Sequence, residues 1–357
     1  MSKSVCIVSP SLQVGGIERM LTVLANYFIR NGIDVIFISC LNKEKFYELN
    51  PDIQLIEPDF KRNKGIVNKL IYYPRVALFL RRKVLQLNPD VILAFGEWFN
   101  PLVLLALYRL KYPVYISDRT SPDFKFHFPI PQLMRWLYPK SAGFIAQTLR
   151  TADFKRKQFG NKLNIRVIPN ALRDVKIYPD IKREKIILYV GRLSWEKGPE
   201  RLIRAFGAIP NREGWQLHMA GSGPLLNKMK QLVANLNISN EVVFYGKVQD
   251  VDQLFARAGI YILPSLREGF PNSFCEAMAA GLPCICFDKI PFEEIFTNGL
   301  DGIAIRDGDL DALTANIIRL IKDKQLREQL GTNAREIRVR LNLESIGNQV
   351  INFIFEK

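Results

Sequence analysis

Short apolar runs alternate with longer helical patterns along most of this 357-residue chain. The runs are rich in Val and Ile and mostly continuous, which is typical of strands that are buried on both faces. Strands of this kind, each followed by a helix, predict parallel sheets covered by helices on both sides. The runs form two successive series, at 5–9, 34–39, 90–95, 113–117, 143–147 and 165–169, then at 185–191, 215–221, 242–246, 260–265, 283–287 and 302–305.

The two series predict an α/β protein with two doubly wound, Rossmann-like domains. At about 100–200 residues per domain, the length of the chain also favours two. We expect a first domain over 1–170, a polar, proline-flanked linker over 171–182 and a second domain over 183–335. The remaining residues, 336–357, are expected to form a C-terminal helix that packs back on the first domain.

The usage of cysteine and histidine excludes several classes of protein. The five cysteines are scattered and form no CxxC pair, so neither a disulfide framework nor a zinc site is expected. Two histidines are too few for a multi-histidine metal centre. The first ten residues do not resemble a signal peptide, and the most apolar stretch, 91–108, is interrupted by Glu97, Asn100 and Pro101. We therefore expect a cytoplasmic chain that does not cross a membrane.

Positive charge is concentrated in the first half of the chain. The first 180 residues hold 27 of the 50 Lys and Arg residues but only 14 of the 35 Asp and Glu residues, which indicates an anionic partner. Basic side chains stand beside bulky apolar ones in 61–83 and 124–140. This mixture is typical of a segment that lies on an anionic membrane surface, and Arg81, Arg82 and Lys83 are candidates for that contact. An ordinary amphipathic helix with a solvated basic face also explains the first segment.

The strongest functional signal is the sequence REGFPNSFCEAMAAG at 267–281. It follows a predicted strand and begins a helix near Pro271 and Asn272. A helix start exposes unpaired N–H groups and partial positive charge, which together form an anion site. Glu268 precedes the helix and Glu276 lies on its first turns, so we expect both carboxylates to face one site. A capped helix with one exposed and one ion-paired glutamate is the purely structural alternative.

Two further loops follow predicted strands. The sequence VGRLSWEKG carries Arg192 and Lys197, a guanidinium and an ammonium group that are both suited to a diphosphate. The sequence QVGGIER carries Gly15 and Gly16, which let backbone N–H groups approach a bound group closely. If each loop stood alone, solvated cations would explain the first and a tight turn would explain the second. Neither QVGGIER nor GSGP at 221–224 completes a Walker A loop or a dinucleotide fingerprint, which disfavours a nicotinamide-dependent dehydrogenase.

Together, the sequences GGIER, GRLSWEKG, AGSGP, VVFYGKV and ILPSLREGFPNSFCEAMAAGLP resemble the retaining glycosyltransferases of family GT4, the glycosyl transferases group 1. The resemblance is dense over 185–305 and weaker over 1–180. It implies the GT-B fold, in which two Rossmann-like domains face a central cleft. The first domain, with its basic and aromatic face, would bind the acceptor, and the second would bind the nucleotide sugar. It also implies a metal-independent hexosyltransferase that needs no cofactor and takes a nucleotide-diphosphate sugar as its co-substrate.

The resemblance further implies roles for individual residues. Glu276 would hold the ribose hydroxyls of the nucleotide, and Glu268 would contact the donor sugar. Arg192 and Lys197 would stabilise the departing diphosphate, so that these two residues and Glu268 form the catalytic set. The phosphate loop of the first domain, the base pocket and the helix start supply the other expected donor-binding residues: Gly15, Gly16, Gly221, Ser222, Lys247, Val248, Gly269, Phe270, Pro271, Asn272 and Ser273.

One departure from the family pattern lies in the first domain. Many relatives have a histidine after the strand that corresponds to PVYIS, where it contacts the donor sugar, but this chain has Asp118 and Arg119. Arg119 can donate to a sugar hydroxyl but cannot act as a base, so we keep it as a candidate catalytic group. His127 is either a substitute or a surface residue, and Asn100, Asp118 and His127 are candidates for acceptor contacts. His218 is expected in the core.

Two acid pairs require a separate interpretation. Asp250 with Asp252, and Asp307 with Asp309, resemble the metal-binding acids of another transferase fold. Neither pair follows a strand as that site demands, so we interpret both as helix caps and expect no metal site.

The resemblance implies a retaining transferase that moves a hexose or N-acetylhexosamine from a nucleotide-diphosphate sugar, for which we expect a UDP-sugar, to a glycan hydroxyl in bacterial surface polysaccharide or oligosaccharide synthesis. The basic first half favours a lipid-linked or membrane-presented acceptor, with the protein peripheral on the inner face of the cell membrane. A nucleotide-sugar epimerase of the same fold is an alternative. A basic nucleic-acid-binding protein is the second alternative. The chain shows no finger, RNP-like or basic-zipper signature, and this hypothesis leaves the pair Glu268 and Glu276 unexplained. We therefore do not expect a nucleic-acid partner.

Overall fold

The computed structural model of the chain describes residues 3–13, 15–41, 45–60 and 66–356. The chain divides into two compact units, one formed by Met1–Ala171 with Leu343–Lys357 and the other by Leu172–Asn342. It therefore passes between the units twice. Within the described ranges, every helix is too short or too polar to span a bilayer.

The first unit is built on a sheet of seven strands. They are β1 (Ser4–Ser9), β2 (Asp34–Ser39), β3 (Gln54–Ile56), β4 (Val91–Phe95), β5 (Val114–Ser117), β6 (Gly143–Ala146) and β7 (Ile165–Val167). Five helices lie between them: α1 (Gly16–Arg30), α2 (Ile66–Leu87), α3 (Asn100–Ala106), α4 (Ile130–Leu137) and α5 (Leu149–Phe159). All neighbouring strands are parallel, in the order β3-β2-β1-β4-β5-β6-β7.

The second unit repeats this plan with six strands. They are β8 (Ile186–Val190), β9 (Gln216–Ala220), β10 (Val242–Gly246), β11 (Ile260–Leu263), β12 (Cys284–Phe287) and β13 (Ile303–Ile305). Its helices are α6 (Pro199–Gly207), α7 (Leu226–Asn235), α8 (Val251–Arg257), α9 (Asn272–Ala279), α10 (Leu310–Lys322), α11 (Lys324–Ala334) and α12 (Ile337–Arg340), and α13 (Leu343–Phe355) ends the chain. The order β10-β9-β8-β11-β12-β13, again parallel, reverses between β8 and β11. Ligands bind near such reversals in open parallel sheets.

Burial on both faces of each sheet explains the continuous apolar runs. On β1, Cys6 and Val8 join the core cluster beneath α2 and α3, whereas Val5 and Ile7 join the cluster beneath α1. The residues of β8 alternate in the same way between two core clusters. Because each side chain of such a strand must be apolar, the sequence carries no polar alternation. The predicted α/β architecture with two doubly wound sheets is confirmed.

Three local predictions differ from the structure. Strand β3 was not predicted. It has only three residues, lies at the sheet edge and has partly buried or exposed side chains, so it forms no continuous apolar run in the sequence. The sequence pattern over 291–297 predicts a helix, but the structure has only a 3-10 turn there, Phe292–Glu294. The pattern over 325–341 predicts one continuous helix, but the structure divides it into α11 and α12, because the amides of Arg335 and Glu336 bond to carbonyls three residues back and tighten the chain there.

The ends of the second unit lie elsewhere than the predicted boundaries. Ile337 and Leu341 are buried in a core cluster of this unit, so 336–342 belong to it rather than to the last helix. The predicted linker also lies in this unit, where the amide of Leu172 donates to the carbonyl of Leu341 over 2.8 Å. Leu341 therefore fastens the start of the unit to its end.

The last helix, α13, lies in the first unit and packs on α1. Gly347 meets the ring of Tyr27 so closely that a Cβ there would approach a ring carbon to 2.2 Å. The Tyr27 hydroxyl donates to the Glu344 carbonyl over 3.2 Å and to Asn348 Oδ1 over 3.0 Å. Burial and the neighbouring Glu344 raise the pKa of Tyr27 to about 12, so this hydroxyl remains a donor at neutral pH.

Candidate functional site

The loops that follow β8 and β11 are joined at the carboxyl edge of the second sheet. The amides of Leu266 and Arg267 both donate to the carbonyl of Glu196, over 2.8 and 3.2 Å. Gly198 has a φ of +58°, and a Cβ on it would lie 2.3 Å from the carbonyl oxygen of Pro264. Glycine is therefore needed for the two loops to approach. The strand order alone brings β8 and β11 together, and these contacts fix their loops.

The loop that follows β9 joins the same edge. Gly221 has a φ of +141°, and a Cβ there would lie 1.8 Å from the carbonyl oxygen of Gly191. Its amide donates to the Gly246 carbonyl at the end of β10 over 2.7 Å. The amide of Leu193 donates to the carbonyl of Ser222 over 3.0 Å. The expected base-pocket residues Gly221 and Ser222 thus adjoin the loop that carries the expected phosphate-binding cations.

Lys197 and Glu268 form an ion pair at this edge. The Lys197 Nζ lies 2.7 Å from each carboxylate oxygen of Glu268. The hydroxyl of Ser265 also donates to Glu268 Oε1 over 2.7 Å. The Glu268 side chain is only 6% exposed, whereas that of Lys197 is 27% exposed. Two residues of the predicted catalytic set are thus brought into direct contact.

Arg192, the third member, lies in the same loop as Lys197 and its side chain is exposed. Nearby, the guanidinium of Arg267 lies over the ring of Trp195, 5.2 Å from its centroid. Two guanidinium groups, those of Arg192 and Arg267, therefore lie near the exposed edge of the site. Such an edge attracts anionic ligands by Coulomb steering.

Helix α9 places Glu276 close to this edge. The helix begins at Asn272, and no side chain caps its first turn. Ser273 instead accepts a hydrogen bond from the Tyr261 hydroxyl over 2.8 Å. The first turn of α9 therefore presents the positive end of a helix dipole beside the loop of Glu268.

Glu276 has a neighbour that the sequence did not reveal. Arg173 lies 3.5 Å from Glu276 Oε2 and also forms a bidentate pair with Asp252. Although burial opposes ionisation of Asp252, hydrogen bonds from Arg173 and the amide of Lys176 hold its pKa below the usual value. Arg173 comes from the predicted linker, and only the folding of that segment onto α8 and α9 brings it here.

Other predicted donor residues of the second unit lie on the same loops. Gly269, Phe270 and Pro271 are buried, and Asn272 and Ser273 are partly exposed at the start of α9. Val248 is partly buried and packs against a core cluster of the unit, while Lys247 is exposed. The second unit thus gathers most of the predicted donor set at one sheet edge.

The acid pairs and His218 are accounted for locally. Asp250 caps α8 through the amide of Asp252, and Asp309 caps α10. Asp307 does not cap a helix but pairs with Arg201 over 2.6 Å. Asp252 likewise pairs with Arg173, so the cap prediction is wrong for one acid of each pair. His218 is buried as expected, with its Nδ1 2.9 Å from the Tyr245 hydroxyl.

In the first unit, Gly15 and Gly16 stand at the start of α1. The Ser11 hydroxyl donates to Glu18 Oε1 over 3.0 Å, which folds the Glu18 carboxylate back over the loop. A Cβ on Gly15 would lie 2.2 Å from Glu18 Oε2. This oxygen is the end of a flexible side chain that could turn away, so the contact does not by itself require glycine. Contact of this loop with phosphates stays a prediction.

Asp118 and Asn100 belong to a buried polar network rather than to an open surface. Asp118 Oδ2 lies 2.5 Å from Lys155 Nζ, and its Oδ1 accepts from the Tyr138 hydroxyl over 2.7 Å and from Asn100 over 3.1 Å. The Lys155 and Asp118 side chains are about 5% exposed. These bonds saturate Asp118 from inside the unit, which is unfavourable for the acceptor contact expected of it.

Arg119 is also turned inward. Its guanidinium lies 3.6 Å from the centroid of the Phe95 ring and donates to Asn170. Burial lowers its pKa to about 9, against the opposing charges of Glu97 and Asp118. The side chain remains a cation at neutral pH, and its catalytic role stays a prediction. His127 is exposed on the loop that follows β5.

The three basic candidates on α2 do not share one environment. Arg81 donates to the carbonyls of Ala106 and Tyr108, over 3.0 and 3.2 Å, at the end of α3. Its charge is therefore used within the unit, which is unfavourable for the surface contact expected of it, and that contact stays a prediction. Arg82 is exposed and Lys83 partly so. Of the charged segment around them, 61–65 lie outside the described residues.

Glu97 is a buried carboxylate that the sequence analysis did not assign. It is 3% exposed, and its Oε1 accepts from the amide of Arg119 over 2.7 Å and from the amide and hydroxyl of Thr120. Burial, together with the charge of Asp118, raises its pKa although the Thr120 bonds oppose the shift. A lone glutamate in AFGEWFN gives no pattern by which it could have been found.

Two doubly wound parallel sheets, one with cationic loops and a helix start at its carboxyl edge, are the architecture of the GT-B fold. A family model described as "Glycosyl transferases group 1" matches residues 173–337, and one described as "Glycosyltransferase Family 4" matches residues 14–174. The chain belongs to this family and is a glycosyltransferase of the group 1 type.

Two named relatives and one solved structure are similar to the chain. The chain is 30% identical over 223 residues to "Exopolysaccharide phosphotransferase SCO2592" of Streptomyces coelicolor, a match that covers 61% of this chain but only 24% of that protein. It is 23% identical to the Campylobacter jejuni "GalNAc-alpha-(1->4)-GalNAc-alpha-(1->3)-diNAcBac-PP-undecaprenol alpha-1,4-N-acetyl-D-galactosaminyltransferase", over 93% of this chain and 92% of that one. Among solved structures, Anabaena HepE in complex with UDP and glucose has a similar fold, with a TM-score of 0.79, 19% identity and 98% of both chains covered.

Proposed function

We propose that this protein transfers a hexose or N-acetylhexosamine, with retention of configuration, from a UDP-sugar to a hydroxyl of a lipid-linked glycan. The observation that carries the proposal is the contact between Lys197 and Glu268 beside the start of α9. The names of the Streptomyces and Campylobacter relatives support polysaccharide or oligosaccharide synthesis, and the Campylobacter name supports an undecaprenyl-diphosphate carrier. The UDP bound by the Anabaena protein supports the choice of nucleotide.

In the proposed mechanism, the diphosphate of the donor competes with Glu268 for Lys197. The partly exposed lysine turns to the phosphate oxygens together with Arg192, and the two cations stabilise the charge that develops as the diphosphate leaves. Glu268 is then available to accept a hydrogen bond from a hydroxyl of the transferred sugar. The amides at the start of α9 add a further positive field.

Glu276 would hold the ribose hydroxyls of the nucleotide. A carboxylate can accept two hydroxyl hydrogen bonds at once, which suits a vicinal diol. Arg173, held by Asp252, fixes the Glu276 side chain from behind. We propose no resident metal, because Arg192, Lys197 and the helix start supply the positive charge that a metal would otherwise provide.

The proposed acceptor is presented by an anionic membrane, and one face of α2 supports this. Ile71, Leu78 and Leu85 are 50–56% exposed, and the exposed Arg75 and Arg82 lie between them. Spacings of three and four residues place all five on one side of the helix. Exposed aliphatic side chains between arginines suit the boundary of an anionic bilayer. We call these five residues the α2 stripe.

A turnover assay tests the transferase proposal. Labelled UDP-sugars are incubated with polyprenyl-diphosphate-linked glycans, and release of UDP is compared with formation of product. Lys197→Ala and Glu268→Ala should each lower turnover at least a hundredfold, while Lys228→Ala, an exposed lysine paired with Glu200, should leave it unchanged. Near-normal turnover in Glu268→Ala would remove the residue from the mechanism. A donor isomerised without acceptor would indicate an epimerase instead.

A vesicle assay tests the membrane proposal. Sedimentation with vesicles of phosphatidylglycerol and phosphatidylcholine should capture the protein at low salt and release it as salt rises. Charge reversal on the α2 stripe, Arg75→Glu with Arg82→Glu, should abolish capture. The control is Lys228→Glu with Lys324→Glu, which changes net charge equally at exposed positions of the second unit. Equal capture of both double variants would reject the α2 stripe as the contact.

A further inference from the structure

Arg173 stands between two buried carboxylates of the second unit. Its guanidinium forms a bidentate pair with Asp252, in which Nη1 lies 2.8 Å from Oδ2 and Nη2 contacts Oδ1. The same Nη2 lies 3.5 Å from Oε2 of Glu276. The Arg173 side chain is 26% exposed, whereas those of Asp252 and Glu276 are only 5% and 4% exposed. A partly exposed cation thus contacts two acids that are almost completely withdrawn from water.

The two contacts of Arg173 differ in strength. The guanidinium donates to Asp252 through two N–H groups, in the planar fork geometry that makes such pairs strong. Its separation of 3.5 Å from Glu276 exceeds the usual range of about 2.7–3.2 Å for an N–H···O hydrogen bond, so this contact is mainly Coulombic. Asp252 therefore holds the guanidinium close to itself and at a distance from Glu276.

Hydrogen bonds around Arg173 fix it in this position. The amide of Lys176 donates to Oδ2 of Asp252 over 3.0 Å, and the amide of Asp252 donates to Oδ1 of Asp250 over 3.1 Å. The hydroxyl of Tyr178 donates to the other oxygen of Asp250 over 2.9 Å. The segment that carries Arg173 is therefore fastened to the start of α8 at several points, and the guanidinium is oriented before any ligand binds.

This geometry leaves Oε2 of Glu276 able to accept a further hydrogen bond. A carboxylate oxygen has two lone pairs, and a cation at 3.5 Å stabilises its charge without taking the position of a short donor. A guanidinium that was free to approach Glu276 would form a close bidentate pair with it and would occupy the acceptor positions that ribose hydroxyls need. Asp252 thus keeps the cation near Glu276 but prevents it from occupying those positions.

We propose that Arg173 and Asp252 are positioning residues that set how strongly the nucleotide site selects ribose over 2′-deoxyribose. Arg173 keeps Glu276 charged and oriented, and Asp252 holds Arg173 away from the oxygens that accept the ribose hydroxyls. The inference rests on the proposed function, in which Glu276 holds the ribose of the nucleotide. Both residues act through Glu276, and neither is assigned a contact with the nucleotide.

The test measures nucleotide affinity without sugar transfer. Isothermal titration calorimetry on the full chain gives the dissociation constants of 2′-deoxy-UDP and UDP, and the ratio of the first to the second is the readout. In the wild-type protein this ratio should be about 10 or more, as expected for one hydrogen bond to a charged group. Asp252→Asn keeps an acceptor for the Lys176 amide but frees Arg173, and Arg173→Gln removes the cation. Each variant should lower the ratio about threefold or more.

Two further variants separate positioning from a merely structural effect, since loosening of the fold would weaken both nucleotides alike and leave the ratio unchanged. Because Asp252 acts through Arg173, the double variant Arg173→Gln with Asp252→Asn should show the same ratio as Arg173→Gln alone. Arg173→Lys restores a cation without the planar fork, so its ratio should lie between those of the wild type and Arg173→Gln.

The control is Arg257→Gln. Arg257 forms a bidentate pair with Glu184 at the other end of α8, so this variant breaks a pair of the same kind on the helix that carries Asp252. Its ratio should equal that of the wild-type protein.

A ratio that keeps its wild-type value in Arg173→Gln and Asp252→Asn, with UDP still bound, would overturn the inference and leave the proposed function standing. If Arg173→Gln does not fold, a wild-type ratio in Arg173→Lys would do the same. A double variant with a lower ratio than Arg173→Gln would contradict the action of Asp252 through Arg173. A wild-type protein that binds neither nucleotide would overturn the proposed donor site and this inference with it.

Discussion

Replacement of Lys197 by methionine tests whether its pair with Glu268 stabilises the second unit. Methionine keeps most of the aliphatic stem of lysine and removes the charge. Breaking a fully buried pair costs about 3–5 kcal/mol and breaking an exposed one about 0–1 kcal/mol. The Lys197 side chain is 27% exposed and that of Glu268 is 6% exposed, so the pair is intermediate between a fully buried and an exposed one. We therefore expect a loss of about 2 kcal/mol in the free energy of unfolding.

The asymmetry of exposure makes this prediction sharper. Lys197→Met leaves a carboxylate buried with only the Ser265 hydroxyl as a neutral donor. Glu268→Gln leaves a lysine that can reach water, so it should cost less. The double variant leaves no unpaired charge and should recover at least half of the loss in Lys197→Met. Such recovery is the sign of a direct interaction in a double-mutant cycle.

Differential scanning calorimetry of the full chain is the assay. For a unit of this size, 1 kcal/mol corresponds to about 2–4 °C, so Lys197→Met should lower the melting temperature of its transition by about 4–8 °C. Hydrogen exchange of peptides from β8 and β11 assigns that transition to the second unit. A Lys197→Met protein as stable as wild type, or a double variant no better than it, would refute the reasoning.

Three further outcomes are expected. Burial and the charge of Asp118 raise the pKa of Glu97 above the ordinary glutamate value of 4.5. The wild-type protein should therefore lose stability relative to Glu97→Gln as the pH rises above 4.5. Melting curves from about pH 5 to about pH 8 measure this, and a constant difference between the two proteins would contradict it. Gly198→Ala should lower the free energy of unfolding by about 1–3 kcal/mol, because alanine disfavours a positive φ and its Cβ would clash with the facing loop. The loss should exceed that of Gly214→Ala, where φ is +79° but a Cβ would meet no atom within 4 Å. Denaturant unfolding compares the two variants, and equal losses would argue against the loop contact. Tyr27→Phe should cost about 0.5–1.5 kcal/mol and speed hydrogen exchange in α13, and unchanged exchange would show that the two hydroxyl bonds do not hold that helix.

The sequence carried enough information to predict the sheets because their strands are buried on both faces. A run such as that around Val5 and Ile7 has no polar position, so it reads as a strand without further context. Short edge strands lack this signal, and β3, with exposed Gln54 and two half-buried side chains, was missed for that reason.

Site residues were predictable where they stand in a continuous motif after a strand. Glu268 and Lys197 are of this kind, and the neighbouring positions of β8 and β11 bring them together. Arg173 and Glu97 were not predictable, because their environments depend on segments far away in sequence. Arg173 meets Asp252 only after the predicted linker has folded onto the unit, and the donors to Glu97 come from the loop that follows β5.

The most direct test of the account is a crystal structure of the protein with UDP. We predict that a diphosphate oxygen lies within hydrogen-bonding distance of Lys197 Nζ and that the ribose hydroxyls contact Glu276. We also predict that Lys197 no longer binds both oxygens of Glu268, as it does at 2.7 Å here. Density for UDP remote from Lys197 and Glu276, with their ion pairs intact, would contradict the assignment of the donor site.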